Sequence, residues 1–154
     1  GALFAAAAGA LFGMNALGLI TASQVNGRLA RRVNPRTILK TVLPATALAG
    51  LVLLASASTG TGGFPGILVP LFVYVASLGF ILPNTTVLAM APHGRMAGSA
   101  SALLGTIQFL LGATAASLAG ALGSGSAVPL ALVIAVCAVG SFLIHQTVSR
   151  EWES

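Results

Sequence analysis

Residues 41–94, TVLPATALAGLVLLASASTGTGGFPGILVPLFVYVASLGFILPNTTVLAMAPHG, decide the fold. The stretch holds no aspartate, glutamate, lysine or arginine. A helix needs about 20 residues to cross the ~30 Å hydrocarbon core of a bilayer, so the run has length for two crossings. Its middle, Ser58-Thr59-Gly60-Thr61-Gly62-Gly63-Phe64-Pro65-Gly66, is a dense turn signal. Such a segment cannot satisfy its backbone groups in lipid and belongs at a water interface. Residues 96–149 repeat the pattern, with Gly123-Ser124-Gly125-Ser126 in the middle and Pro129 soon after. Residues 1–27 are free of charge and suit one crossing. The reading is an all-α polytopic membrane protein with five transmembrane helices. The spans fall at residues 3–25, 38–57, 67–90, 97–122 and 128–148 of one transmembrane domain covering 1–154, with a tail at 149–154. Barrel strands would alternate apolar and polar over about ten residues, whereas these runs are continuously apolar.

Composition agrees. Of 154 residues, 56% are hydrophobic and 6% charged, where a soluble domain carries ~25% charged. That excludes a soluble enzyme domain, a disordered tail and a disulfide-stapled secreted module. The net charge of +5 is not a nucleic-acid signature, because the basic residues sit between apolar runs. No nucleic-acid partner is expected. Cys137 is the single cysteine, so no internal disulfide forms and no Cys/His cluster suggests a zinc site. The chain opens apolar at Gly1 with no basic n-region, which argues against a signal peptide. The abrupt start reads as a chain cut inside a larger protein.

Five crossings make a prediction about charge. Arg28, Arg31, Arg32, Arg36 and Lys40 follow the first span, Arg95 follows the third and Arg150 follows the fifth. All seven basic residues therefore fall on one side, and the opposite loops hold none. This is the positive-inside pattern. It places the basic side and the C-terminus in the cytoplasm, for a multi-pass protein of the cytoplasmic membrane. Both acids, Glu151 and Glu153, lie in the terminal tail.

Between helices in lipid, small residues permit close approach and dispersion holds the contact. In the fourth span Ser101, Gly105, Gln108 and Gly112 fall within about 60° of one another at ~100° per residue. Gly98, Gly105 and Gly112 are its helix-packing motif. The first span carries Asn15, Gly18 and Ala22 on one stripe that reaches Asn26. The third places Tyr74, Ser77, Asn84 and Thr85 in one sector, with Pro83 removing a helical hydrogen bond just before Asn84. Spans two and five carry fewer polar side chains, so they are expected at the periphery, with the other three nearer any pathway.

A carboxamide in hydrocarbon is costly without a partner. Asn15, Tyr74, Ser77, Asn84, Ser101 and Gln108 are therefore the candidates for lining a substrate cavity. Each also has a structural reading, an interhelical hydrogen bond worth ~0.6 kcal/mol on average. His93 and His145 stand on separate segments with no acid nearby and suit no metal. Asn84-Thr85-Thr86 matches a glycosylation acceptor but falls at the cytoplasmic face. No nucleophile elbow, acid–histidine pair or phosphate loop is present, so no enzyme activity, metal or cofactor is expected.

Two segments carry a resemblance. Asn26-Gly27-Arg28-Leu29-Ala30-Arg31-Arg32-Val33-Asn34-Pro35-Arg36, joining spans one and two, resembles the second-half cytoplasmic loop motif of the major facilitator superfamily. In that motif Gly27, Arg28, Arg31, Arg32 and Arg36 are the matching residues, and the family's acidic loop residue is absent. Met96-Ala97-Gly98-Ser99-Ala100-Ser101-Ala102-Leu103-Leu104-Gly105, with Pro83-Asn84 before it, looks like the drug/proton antiporters of the bicyclomycin and chloramphenicol resistance group. The resemblance covers the whole chain, as the last five of twelve helices. It implies a multidrug efflux antiporter, exchanging a small-molecule substrate for protons, with the N-terminal half missing here. Spans one, three and four would face the cavity, and the two halves would rock about a midplane site. Proton coupling usually needs an intramembrane carboxylate, so the resemblance places that acid in the missing half. The rival reading is a stand-alone five-span scaffold or assembly subunit without transport.

Overall fold

The computed structural model describes residues 1–91, 97–122 and 126–151. Five helices follow in order: α1 Ala2–Leu29, α2 Pro35–Thr59, α3 Gly63–Met90, α4 Ala97–Ala121 and α5 Val128–Glu151. No strand occurs among the described residues. Helices α2 to α5 each hold a stretch long and apolar enough to cross a membrane. The crossing by α1 rests on its sequence. His93, Arg95, residues 123–125 and residues 152–154 lie outside the described residues.

Local chemistry sets the ends. Asn34 caps α2 by accepting from the Arg36 amide at 2.9 Å, and Pro35 opens the helix where its missing N–H is not needed. The turn between α2 and α3 needs left-handed backbone, supplied by Gly60 at φ 69° and Gly62 at φ 78°. The first helix runs past residue 25 to Leu29. That places Asn26 and Arg28 on the helix instead of in the loop. At the other terminus α5 continues through residues 149–151, the start of the expected tail.

Packing follows small residues. Helix α2 lies between α3 and α5, and α1 lies against α3. Ile38, Leu39, Leu43, Thr46, Ala47, Ala49, Gly50 and Leu53 of α2 are buried. Gly50 faces α5, where an added Cβ would sit 3.1 Å from the Ala138 Cβ and 3.2 Å from the Ala135 Cα. Buried Ala131, Ala135 and Ala138 line that side of α5. Burial among these helices is uneven. Helix α2 is the best covered, while the membrane-crossing stretch of α4 has no buried residue. Coverage follows neighbours, and α2 has a helix on either side, with small residues meeting at its contact with α5.

Candidate functional site

The α1 stripe of Asn15, Gly18, Ala22 and Asn26 is the face that meets α3. Gly18 lies over the Phe72 ring, where an added Cβ would stand 2.6 Å from Cε2. Seven residues beyond Phe72, Gly79 of α3 packs against the α1 backbone. An added Cβ there would stand 2.6 Å from the Leu19 carbonyl oxygen and 2.9 Å from the Ser23 nitrogen. Further along, the Asn84 amide donates to Asn26 Oδ1 at 2.6 Å. Positions 18, 22 and 26 therefore meet 72, 79 and 84 in increasing order, so α1 and α3 run parallel.

Pro83 explains one contact of this seam. It has no N–H to give the carbonyl four residues earlier, which is that of Gly79. The Ser23 hydroxyl of α1 donates to that carbonyl at 3.3 Å. A neighbouring helix thus takes over the hydrogen bond that proline removes, as membrane helices require. The helix α3 continues through Pro70 and Pro83 to Met90. Asn84 also donates to its own Phe80 carbonyl at 2.7 Å. With 1% exposure it is among the most enclosed side chains.

The six cavity candidates separate into groups. Asn84 and Ser77 are buried, and the Ser77 hydroxyl donates to the Val73 carbonyl of its own helix. Tyr74 is half-buried. Asn15 is half-buried, its amide donating to the Leu11 carbonyl at 3.0 Å. Its Oδ1 is enclosed and has no hydrogen-bond partner. Ser101 and Gln108 on α4 are exposed, and Ser101 contacts the Met90 sulfur at 3.8 Å. The structure therefore joins Asn84 to α1 and leaves Ser101 and Gln108 on an open face. Gly98, Gly105 and Gly112 share that openness, with nothing among the described residues within 4 Å of an added Cβ. Large apolar side chains around them, Phe109, Leu110 and Leu103, are exposed as well. Loop-motif residues Gly27, Arg28, Arg31, Arg32 and Arg36 are all exposed at the junction of α1 and α2.

Sequence reasoning missed the roles of Asn26, Ser23 and Gly79. A signal existed for each. Asn26 ended the α1 stripe, and Gly79 is four residues before a proline whose missing donor was evident. Pairing them with Ser23 required the register between two helices far apart in sequence.

Relatives make the same case over a longer reach. The chain is 34% identical over 141 residues to an uncharacterized MFS-type transporter of Bacillus subtilis, covering 92% of this chain and 35% of that protein. The chain is homologous to part of a major facilitator superfamily transporter. A second relative, a bicyclomycin resistance protein homolog of Haemophilus influenzae, is 29% identical over 137 residues, covering 89% of this chain and 34% of its own length. The superfamily resemblance read from two short segments thus extends along nearly the whole chain. The chain spans about a third of the length of either relative. No family model matches it, and no solved structure matches it significantly.

Proposed function

We propose that this chain is part of a secondary transporter that exports drugs or other small molecules across the cytoplasmic membrane by proton antiport with alternating access. The observation that carries the reading is the match of some nine-tenths of the chain to an MFS-type transporter and to a bicyclomycin resistance protein homolog. The basic side, with the C-terminus, faces the cytoplasm.

The geometry supports a division of labour. The α1–α3 seam is a fixed unit, closed by Gly79 and the Asn26–Asn84 pair. Helix α4 presents Ser101 and Gln108 on an open face, and Asn15 offers an unused acceptor. That enclosed oxygen would meet a substrate donor when the helices around it part, as alternating access requires. We assign Asn15, Tyr74, Ser101 and Gln108 to the cavity, and Ser77 and Asn84 to the wall that supports it. The proton-carrying carboxylate comes from outside the membrane-crossing stretches of these helices, since the acids of the chain stand at positions 151 and 153, beyond the apolar stretch Val128–Val148.

The test uses the complete polypeptide that carries this chain, expressed in an efflux-deficient bacterium. Drug accumulation should fall on expression and recover when a protonophore collapses the proton gradient. Gln108→Ala should change which drugs are exported at equal expression. Unchanged accumulation across a broad drug panel would overturn export, and insensitivity to the protonophore would overturn proton coupling.

A further inference from the structure

Three cations at the end of α1 are unused by the fold. Arg28, Arg31 and Arg32 are exposed, and none has a side-chain acceptor among the described residues. The chain keeps helical hydrogen bonding past the end of α1: the Ala30 amide donates to the Asn26 carbonyl at 2.8 Å, and the Val33 amide to the Leu29 carbonyl at 2.9 Å. Arg28, Arg31 and Arg32 therefore stand at spacings of three and four, on neighbouring parts of one surface. Val25, exposed by 46%, lies about one turn toward the membrane from these arginines, and Leu29, exposed by 39%, stands beside Arg28 at its level. At ~100° per residue the three arginines point away from Asn26 and hence from α3.

Guanidinium groups beside two exposed aliphatic side chains, at the end of a membrane helix, have the chemistry of a phospholipid seat. Guanidinium forks bind phosphate oxygens in pairs. Basic clusters next to a membrane helix attract anionic lipids. We propose that Arg28, Arg31 and Arg32 bind the phosphate of an anionic phospholipid whose acyl chains lie along Val25 and Leu29. A soluble anion would have no use for the two aliphatic side chains, and this favours a lipid over a free phosphate. The site is independent of the transport reading and requires only that α1 end at a membrane surface.

The experiment reconstitutes the complete polypeptide that carries this chain and measures motionally restricted lipid with spin-labelled phosphatidylglycerol and, separately, spin-labelled phosphatidylcholine. Phosphatidylglycerol should be preferred several-fold at low salt, and the preference should weaken as salt screens the contact. R28Q alone, which leaves four cations near the surface and so preserves orientation, should lower the preference at least twofold. R28Q/R31Q/R32Q should bring it close to one. Equal restriction of the two lipids by the unaltered protein overturns the assignment, as does an undiminished preference in R28Q. Displacement of the lipid by millimolar glycerol phosphate also overturns it, by assigning the site to a soluble phosphate.

Discussion

The α1–α3 seam and the face of α4 are both rich in small residues, yet they meet different surroundings. Along the seam, Gly18 receives Phe72 and Gly79 lies against the backbone from Leu19 to Ser23. On α4, Gly98, Gly105 and Gly112 meet nothing within 4 Å among the described residues. A small-residue stripe therefore gives only the capacity for close approach. A contact also needs a complementary stripe at the right height, and polar groups that become paired when the two close. The seam has both, in Ser23 with the Gly79 carbonyl and in Asn26 with Asn84.

Valine at one glycine on each side should give the largest contrast. Gly79→Val would drive a branched side chain into the Leu19 carbonyl, 2.6 Å from the position of its Cβ. Overpacking costs about 1–3 kcal/mol even where side chains can yield, and the backbone here cannot. Most of the protein should fail to survive extraction as a monodisperse species by size-exclusion chromatography. Gly105→Val should shift thermal stability of the isolated chain by less than ~0.5 kcal/mol. Equal tolerance of both would mean the seam is looser than described.

Next comes the amide pair. Asn84→Ala strands the buried Asn26 oxygen, at a cost of about 1–2 kcal/mol. A double-mutant cycle with Asn26→Ala should return a coupling on the order of 0.6–1.7 kcal/mol. Additive effects would show that the two side chains act separately.

A smaller effect isolates the proline. Ser23→Ala should cost about 0.5–1 kcal/mol, the net worth of one hydrogen bond. In a Pro83→Ala background the helix regains its own donor to the Gly79 carbonyl, and Ser23→Ala should become nearly neutral. A cost that persists there would place the role of Ser23 elsewhere. Smallest of all, Gln108→Ala on the open face should leave thermal stability within ~0.5 kcal/mol of the parent.

Helix positions were legible because charge and turn residues punctuate long apolar runs, and water-seeking groups cannot be hidden in lipid. The α1 stripe was also legible, since helical periodicity alone aligns Asn15, Gly18, Ala22 and Asn26. Its partner was not. Which height of α3 stands beside Ala22 depends on register between helices separated by α2, and local pattern carries no record of that. The close packing of α2 within this chain was not legible for a related reason. Gly50 lets the backbone of α5 come close, and apolar contact needs no polar marker. Among cavity candidates, polarity placed Asn84 with the other five without telling a substrate ligand from a structural partner. Only the proximity of Asn26 distinguishes them.

The central claim is the parallel register of α1 on α3. It is tested most directly by cross-linking in a Cys137→Ser background with a short bifunctional thiol reagent, in native membranes. The account predicts efficient linkage of Asn26→Cys to Asn84→Cys and none of Asn15→Cys to Asn84→Cys. Linkage of the second pair in preference to the first would contradict it.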